Sequence, residues 1–501
     1  MKRLSFHSAI AAFLVAAVLI AALTSCASQR GAVLPSLDSD KQAEAGVPVI
    51  NPDSEMRGVW IASVFNIDFP SRPDLDGAAL SAELDSILDT CAACGLNTVF
   101  FQIRPSCDAL YRSDLYPVSR NLSSADSLTF DPLEYLLREA HRRNIFVHAW
   151  VNPLRVTVTP NSESTLPDNS PARRHPEWTV KYGDGKLYLN AGLPEVRDFV
   201  AAGVREIVER YDVDGVVFDD YFYPYPVDGA DFDDGDAFSR YGSGDIADWR
   251  RSNINSLVEA CGGAVHEADP DCRFGVSPGG VWRNDDGLNG GSPTRGFETY
   301  TSLYCDSLAW VRGGYIDYIS PQLYWQMSSS ATPFDELIRW WNRALEGTDV
   351  ALVISHGAYR YEEGDWDEPS GEMSRQVCLS REMLSYSGSV FYGYDEIRGN
   401  ARGISDELTA VFAENIVYYD PIPTGGRVSF TSHGDGDECP IGEITITGES
   451  DPTLPLYFDG AAVGRQRGGR FEIVLTLSRG ENTFVFTQDG VDYSLTLRGT
   501  S

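Results

Sequence analysis

Short apolar runs alternate with longer amphipathic segments from about residue 55 to residue 419 of the chain. The runs have the length of strands, and the segments between them repeat apolar residues at the three- and four-residue spacing of a helix. The eight predicted strands are 57–64, 98–104, 145–152, 215–222, 273–278, 315–325, 350–355 and 389–394. Eight strands joined by helices predict an α/β fold of the TIM (β/α)8 barrel type, with residues 55–419 as one barrel domain.

The helical segments also have recognisable beginnings. Asp131 can cap a helix whose first turn contains Pro132, and the leucines of the next two turns then share one face. The segment 196–208 repeats the same apolar spacing ahead of the fourth predicted strand. Both helices are therefore expected to pack one apolar face against the barrel wall.

After residue 419 the pattern changes to the period of two that is typical of half-buried strands. Residues 420–426 contain two prolines and two glycines and predict a linker. Alternating runs follow at 443–447, 471–477, 483–487 and 493–497. Residues 427–501 are accordingly predicted to form a small all-β domain, an Ig-like sandwich in size. No acid–base constellation is found in it, so we expect a structural or wall-binding accessory module.

The first 26 residues have the organisation of a lipoprotein signal peptide. Lys2 and Arg3 form a positive start, residues 10–23 form an apolar stretch, and Cys26 stands where cleavage leaves a cysteine ready for lipid attachment. The sequence thus predicts a cell-envelope protein, anchored in the outer membrane or facing the periplasm through lipidated Cys26, with 27–54 as a flexible linker. A chance cysteine after an ordinary cleavage site is the alternative.

The charge balance narrows the class of partner. The chain of 501 residues has 40 basic and 73 acidic side chains and a formal net charge of -33. Because no basic stripe is available to neutralise phosphates, the sequence argues against a nucleic-acid partner and disfavours a polyanionic substrate. The acidity itself is explained as readily by the solubility of an exported protein.

The nine cysteines show no spacing typical of a zinc site. Only Cys91 and Cys94 form a C-x-x-C pair, in a predicted amphipathic helix where residues three apart are neighbours on one face. We interpret them as packing residues, with a redox motif or a disulfide as alternatives. Neither a metal nor a cofactor is predicted.

Polar and aromatic residues cluster where the predicted strands end. In a TIM barrel the loops at this end form the active site. Carboxyl groups, aromatic faces and amides on one rim are what sugar chemistry requires, because two carboxyls cleave the bond and flat rings stack on pyranose faces. The catalytic candidates are Asp219, Asp220 and Asp108. The candidates for binding the glycan substrate are Asp68, Gln102, Arg104, Asn152, Arg155, Tyr221, Gln322, Tyr324, Trp325, Tyr359 and Glu396.

Asp219 and Asp220 are the strongest single signal. Side chains alternate along a strand, so at most one of the two carboxyls is expected to point up the barrel axis. We expect Asp219 to face the substrate and Asp220 to act beside it or to orient it. Either aspartate could instead cap the next helix, and Asp108 could be a turn residue.

Some rim residues have a structural interpretation of equal standing. Trp150 and Trp325 fit either barrel packing or sugar stacking, and Trp325 is the better platform because it ends its predicted strand. His148 lies inside a predicted strand and is expected to be a core histidine. Arg104 and Arg155 are harder to explain as packing, since charges near a barrel mouth need partners.

Six sequence blocks stand in order between about residues 55 and 400: MRGVWIA (56–62), NID (66–68), FQIRP (101–105) with DALY (108–111), AWVNP (149–153), FDDYFYP (218–224) and PQLYW (321–325). Together they resemble the glycosyl hydrolase-like family 10 of bacterial lipoproteins. The resemblance implies a TIM barrel similar to hydrolases that act on cell-wall glycan strands. Peptidoglycan stripped of its stem peptides is the substrate that this implies.

The resemblance leaves the catalytic pair open. Family 10 xylanases and their clan have glutamates after the fourth and seventh strands, where this chain has Asp219-Asp220 and His356-Gly357. The segment 215–219 looks like the fourth-strand nucleophile segment of α-amylase-type barrels, which favours Asp219, but no glutamate follows the fifth strand. The proton donor is therefore Asp220, Asp108 or Glu396.

Three functions fit these observations to different degrees. A retaining or inverting glycosidase would use Asp219 as nucleophile or base and a second carboxyl as acid, about 5 Å apart for retention or about 6.5–9.5 Å for inversion. A non-catalytic glycan-binding lipoprotein on a degenerate barrel is the alternative. Metal-dependent deacetylation is disfavoured because no histidine pair has ligand spacing near a rim aspartate.

Overall fold

A computed structural model describes residues 55–413 and 428–500, apart from gaps at 126, 289, 364–365, 367–370, 451–455, 464–469 and 489. The predicted signal peptide with Cys26 and the predicted linkers at 27–54 and 420–426 lie outside the described residues. Among the helices that are described, none has the length and apolar character needed to cross a membrane.

Within the described residues, eight parallel strands close into a barrel, which confirms the predicted (β/α)8 fold. The order around the barrel is β1-β10-β9-β8-β7-β6-β3-β2, while β4 and β5 form a separate hairpin. The strands are β1 (Met56–Ile61), β2 (Thr98–Arg104), β3 (Phe146–Val151), β4 (Thr179–Lys181), β5 (Leu187–Leu189), β6 (Gly215–Phe218), β7 (Arg273–Val276), β8 (Tyr318–Ile319), β9 (Ala351–Gly357) and β10 (Tyr386–Tyr392).

Helices connect the barrel strands and cover their outer face. Asp131 caps the second of them as predicted, since its carboxylate accepts hydrogen bonds from the amides of Leu133 and Glu134. The helices are α1 (Gly77–Ala93), α2 (Pro132–Arg142), α3 (Pro171–Arg174), α4 (Pro194–Arg210), α5 (Gly235–Tyr241), α6 (Ile246–Ala268), α7 (Thr299–Ser302), α8 (Ser307–Gly313), α9 (Phe334–Ala344), α10 (Arg360–Glu363), α11 (Glu372–Ser380), α12 (Tyr394–Arg398) and α13 (Ile404–Ala413).

Two strands are shorter than the apolar pattern predicts. The fourth barrel strand, β6, ends at Phe218 instead of residue 222, and the sixth, β8, keeps only Tyr318 and Ile319 of the predicted 315–325. Pro321 has no amide hydrogen to continue the β8 ladder. Gln322 then forms isolated bridges to the two neighbouring chain segments. The polar residues after these strands consequently lie on loops at the barrel mouth.

Large side chains fill the barrel interior beneath the mouth. Trp60, Phe100, Trp150 and Tyr318 belong to one buried cluster inside the barrel. His148 lies in this layer with its Nδ1 2.7 Å from the Tyr318 hydroxyl, which confirms it as a core histidine. The barrel interior is therefore filled with packed side chains that support the residues of the mouth, as in other barrels of this class.

A repeated hydrogen bond fastens the opposite, N-terminal end of the barrel. Asn97, Asp214 and Asp317 each precede a barrel strand, and each accepts at 2.6–2.8 Å from the amide of the second residue of the barrel strand before it. His141 at the end of α2 and His266 near the end of α6 contact Asp214 and Asp317 at 3.0 and 2.9 Å. These contacts tie helices and strands together at the barrel floor.

Glu55 closes the barrel where the first strand meets the last. Its buried carboxylate accepts from Nε of Arg57 at 2.8 Å, from Nε and Nη2 of Arg381 at 2.7 and 2.9 Å, and from the Tyr386 hydroxyl at 3.1 Å. Burial alone would raise the pKa of Glu55, but the hydrogen bond and charge of Arg381, together with Arg57, lower it below the ordinary value. Glu55 is thus an ionised clamp beside the β1–β10 pairing.

The described residues from 428 onward form two sheets, which confirms the predicted C-terminal all-β domain. A three-stranded sheet has the order β11-β13-β16 and a five-stranded sheet the order β12-β18-β17-β14-β15. Both contribute to one buried apolar cluster. The strands are β11 (Ser429–Phe430), β12 (Glu438–Pro440), β13 (Gly442–Glu449), β14 (Leu456–Phe458), β15 (Ala461–Ala462), β16 (Arg470–Leu477), β17 (Gly480–Gln488) and β18 (Val491–Thr500).

Replacing Glu55 by alanine should destabilise the barrel by about 3–5 kcal/mol, because two buried arginines lose their counter-charge. Every tryptophan of the chain lies between residues 60 and 366, so urea unfolding followed by tryptophan fluorescence measures the barrel. Since the folded pKa of Glu55 is lowered, its stabilisation is present above its unfolded pKa of about 4.3 and disappears as the pH falls below that value. The control Glu267→Ala, in an exposed ion pair with Arg205 on the outer helices of the barrel, should change stability by less than about 0.5 kcal/mol. If the loss in free energy of unfolding caused by Glu55→Ala does not become smaller at acidic pH, the result would contradict an ionised Glu55.

Candidate active site

Side-chain alternation brings Asp219 and Asn152 together at the mouth. Trp150 on β3 and Val217 on β6 both point into the barrel, so the residues two positions later continue on the same side. The two strands are hydrogen-bonded neighbours. The Asn152 amide nitrogen therefore lies 3.1 and 3.2 Å from the two carboxylate oxygens of Asp219.

Asp219 is a buried carboxylate held by N–H donors. Besides Asn152, the indole nitrogen of Trp150 donates to Oδ2 at 3.0 Å and the amide of Tyr221 donates to Oδ1 at 3.2 Å. Burial raises the pKa of Asp219 to about 7, the charge of Asp220 adds to the rise, and Arg155 and the Trp150 hydrogen bond oppose it. A carboxyl that titrates near neutral pH is suited to acid–base chemistry.

Asp220 faces different neighbours from Asp219. Its Oδ1 accepts from the Gln322 side-chain amide at 3.2 Å, and its Oδ2 accepts a short hydrogen bond from the Tyr225 hydroxyl. Burial raises its pKa, which these two hydrogen bonds counteract. Both aspartates are almost inaccessible, with 3% and 5% of their surface exposed. The pair thus spans the mouth from the β3 side of β6 to the loop after β8.

Arg155 is a cation close to the aspartates at this end of the barrel. Its Nε and Nη2 donate to the carbonyl oxygen of Pro105 at 2.9 and 2.7 Å, and its guanidinium lies 4.9 Å above the ring of Tyr221. Asp108 lies after β2, and burial raises its pKa to about 6, against the Ser119 hydroxyl and the charge of Arg155. Arg155 therefore lowers the pKa of Asp108, Asp219 and Asp220, so it influences all three catalytic candidates.

Tyrosines line another part of the mouth. Tyr324 lies edge-on to Tyr359 at 5.7 Å and stacks on Tyr392 at 6.2 Å between ring centroids. The sequence interpretation named Tyr324 and Tyr359 but missed Tyr392, whose pKa is raised by burial and then by Asp68 and Tyr221. Tyr392 thus lies within electrostatic reach of Asp68 on the loop after β1 and of Tyr221 on the loop after β6. Val390 points into the barrel, and Tyr392 lies two residues later on the same strand, so strand alternation could have identified it.

A second row of rings runs from the aspartates to the surface. Tyr221 and Tyr225 are edge-on at 5.6 Å, and Tyr225 stacks on Phe297 at 5.3 Å with a 24° interplanar angle. Phe297 is 44% exposed, so the row ends in solvent. Sequence reasoning missed both Tyr225 and Phe297. The aromatic run after Asp220 could have indicated Tyr225, whereas Phe297 lies in a polar loop that gives no signal.

Asp68, on the loop after β1, and Glu396, in α12 directly after β10, are acidic residues within electrostatic reach of each other. Asp68 accepts from the amide of Ala62 at 2.7 Å, and burial raises its pKa well above the ordinary value, with Asp395 and Glu396 adding to the rise. Glu396 is 3% exposed. In the closed order of eight strands, β10 and β6 are four positions apart and lie on opposite sides of the barrel. Glu396, which follows β10, is therefore attached to the side opposite Asp219, which follows β6.

Arg104 lies away from the mouth, which corrects its expected position. Arg104 is two residues after Gln102, and side chains two apart on a regular strand lie on the same face, so an inward side chain is predicted. The β2–β3 register, however, shifts between these two residues. Such an irregularity reverses the side of the sheet on which the following side chain lies. Arg104 therefore lies between the barrel wall and the helices, with its guanidinium 4.4 Å above the ring of Tyr116.

Gln102 and Trp325 support the loops of the mouth. Gln102 is fully buried, and its Oε1 accepts from the amides of Ser63 and Val64 at 3.0 and 2.9 Å. Trp325 is half-buried and lies over Gly280, where an added Cβ would be 2.9 Å from the indole. Their contacts to a sugar remain predictions. In the part of the chain that the structure describes, no three His, Cys, Asp or Glu side chains are grouped as metal ligands.

Comparisons with known proteins place this geometry in a family. The model of the family described as "Glycosyl hydrolase-like 10" matches residues 55–369. Glycosyl hydrolase YngK of Bacillus subtilis (strain 168) is 39% identical over 366 residues, which are 71% of this chain and 71% of that protein. Glycosyl hydrolase DigH of Escherichia coli (strain K12) is 36% identical over 366 residues, 68% of this chain and 83% of that protein.

Among solved structures, the endo-beta-1,4-mannanase from Thermotoga petrophila has a TM-score of 0.45 at 11% identity, covering 89% of this chain and 98% of that one. The family match includes the residues of the mouth from Asp68 to Tyr359, whereas Tyr392 and Glu396 lie beyond it. The sequence blocks that resemble the family also supply Asp219, Asp220 and Asn152. On the family model and the two relatives, the chain belongs to the glycosyl hydrolase-like 10 family.

Proposed function

We propose that the protein is a glycosidase that hydrolyses a glycan of the bacterial cell envelope at the C-terminal mouth of the barrel. The observation that supports this most is the buried pair of Asp219 and Asp220, held by N–H and O–H donors among buried and half-buried tyrosines. Burying two adjacent carboxyls costs stability, which a purely structural strand end would avoid. A site for carboxylate chemistry gives that cost a function.

In this mechanism Asp219 is the nucleophile or the base that activates water. Its oxygens accept hydrogen bonds from the N–H groups of Trp150, Asn152 and Tyr221, and such donors favour the ionised form. A second carboxyl protonates the leaving oxygen, as glycosidases require. Asp220, Asp108 and Glu396 are the candidates, all with buried or partly buried carboxyls near the mouth.

The substrate proposed is a polymer, because the rings from Tyr221 to Phe297 extend the site beyond the aspartates. Glycan strands of peptidoglycan that lack stem peptides are the proposed natural substrate. The predicted signal peptide and lipidation of Cys26 would place the enzyme at that polymer, on the outer membrane or facing the periplasm. Location and anchor are proposals from the sequence.

The direct experiment incubates the purified chain with denuded peptidoglycan, intact peptidoglycan and a panel of polysaccharides. Released oligosaccharides are measured by mass spectrometry, and binding is measured on the same polymers. Release from denuded peptidoglycan would support the wall glycosidase. Binding without release from any polymer would support the alternative, a glycan-binding lipoprotein on a barrel that has lost catalysis.

Asp219→Asn should reduce release by about 10²–10⁴-fold, because the amide can neither attack nor accept a proton. The variant should fold, with a Tm equal to or above that of the native chain. The pKa of Asp219 is raised to about 7 in the fold, so the ionised side chain reduces stability above its unfolded pKa of about 3.9, and asparagine removes that cost. Calorimetry and oligosaccharide release measure both effects. Asp248→Asn, exposed on α6, is the matched control and should leave both unchanged.

The pH dependence of kcat/KM should rise through about pH 7 as Asp219 ionises. Arg155 lowers the pKa of this carboxyl, so Arg155→Gln should move the rising limb to higher pH. Initial rates over a pH series measure the shift. An unmoved limb in Arg155→Gln would mean that another group controls the profile.

Phe297→Ala should selectively weaken the binding of long substrates. Loss of one stacking ring is expected to raise KM for polymeric glycan by about 3–10-fold while leaving the rate on a short aryl glycoside unchanged. Leu288→Ala, 94% exposed in the same loop, is the control. Equal losses on the short and long substrates would show that Phe297 acts on the aspartates and not on the polymer.

A further inference from the structure

Arg104 is a buried cation outside the proposed active site. Only 1% of its surface is exposed. The register shift in β2 directs it toward α4, where Gly203 makes room for it. A Cβ at Gly203 would lie 2.6 Å from Nη1 of Arg104 and 2.5 Å from the hydroxyl of Tyr116. Both polar groups therefore approach the same point of the α4 backbone.

Four proton donors in this cluster make no well-formed hydrogen bond among the described residues, although Arg104 and Ser113 lie close enough to the Tyr111 hydroxyl to lower its pKa. They are Nη1 and Nη2 of Arg104 and the hydroxyls of Tyr111 and Tyr116. The two tyrosines are 1% and 5% exposed. Burial raises the pKa of both phenols, and the charge of Arg104 opposes the rise, so both rings lie within its electrostatic reach. Buried donors without acceptors are rare in folded proteins.

No ion pair joins Arg104 to a carboxylate among the described residues, although the charge of Arg104 helps to lower the pKa of the buried carboxyl of Asp108. Arg104 stays protonated, since a guanidinium does not lose its proton in proteins. The other polar neighbours are the thiols of Cys107 and Cys261, and burial raises the pKa of each to about 12, against the charge of Arg104. Both thiols are neutral at physiological pH. The donors of the cluster thus surround a buried guanidinium that is not paired with a carboxylate.

We propose that Arg104, Tyr111 and Tyr116 form an internal binding site for a small monovalent anion of the halide class, with chloride as the physiological ligand. A halide accepts hydrogen bonds from several donors at once and needs none in return. It also neutralises the buried guanidinium, which a water molecule cannot do. The site differs from the sugar site, because it lies on the outer face of the barrel wall.

The anion site is connected to the mouth through the backbone. The carbonyl oxygen of Arg104 accepts from the amide of Asn152 at 2.9 Å. The next carbonyl, that of Pro105, accepts both hydrogen bonds from Arg155. Fixing the Arg104 side chain with an anion therefore fixes the segment that positions the donor to Asp219 and the cation beside it.

Crystals of the full chain grown in bromide test the site directly. An anomalous peak in contact with Arg104, Tyr111 and Tyr116 is expected. Bromide scattering that is absent from this cluster would overturn the proposal. The experiment does not depend on hydrolysis, so its failure is distinguishable from a failure of the proposed function.

Thermal unfolding in solution gives the second test. Raising free chloride about thirty-fold at constant ionic strength, with gluconate as the replaced anion, should raise Tm by about 2–4 °C. The double variant Tyr111→Phe, Tyr116→Phe keeps both rings and Arg104 but removes two donors, and should lose most of this chloride-specific rise. Tyr135→Phe, whose hydroxyl donates to Asp85, is the control and should keep it. Equal Tm values in chloride and gluconate, or an unchanged rise in the double variant, would overturn the site.

Discussion

The hydrogen bond from the Trp150 indole to Asp219 joins the packed interior of the barrel to its mouth. The same tryptophan packs edge-on against Trp60, 4.9 Å away inside the barrel. Its ring therefore has no freedom to follow a moving carboxylate, and Asp219 is held where the core places it. The positions of Asn152 and Tyr221 follow from the same fixed point, because both donate to that carboxylate. Rigid placement of this kind is what lets a buried charge act on a substrate instead of relaxing away from it.

Such a placement has a thermodynamic cost, which the rest of the barrel must offset. Asp219 and Asp220 are buried beside each other, and each has a raised pKa, so the ionised mouth is less stable than a neutral one. Glu55 behaves in the opposite way, because Arg381 and Arg57 pair with it and lower its pKa. Two sets of buried carboxyls in one barrel thus have opposite effects on stability. The difference between them is the number of cations within hydrogen-bonding distance.

The barrel could be predicted from the sequence because its signals are local. Apolar runs, helix periodicity and the Asp131 cap each depend on a few adjacent residues, and they agree with the structure except that β6 and β8 are shorter than the runs predict. The rim aspartates, Asn152 and Gln322 could be named because they directly follow those runs. Arg104 was misplaced because a register shift between two strands leaves no mark in one strand's own sequence. Tyr225 and Phe297 meet Asp220 only through the folding of loops, where no period relates residue number to position in space.

The repeated contacts of Asn97, Asp214 and Asp317 have a consequence for how the barrel can change over time. They hold alternate pairs of strands from below, at the end farthest from the aspartates. Loops of the mouth can then be lengthened, shortened or exchanged without disrupting the contacts between the barrel strands beneath them. The residues that stabilise the barrel and the loops that determine specificity thus lie at opposite ends of the fold. New sugar specificities can therefore evolve at the C-terminal end while the N-terminal end keeps its contacts.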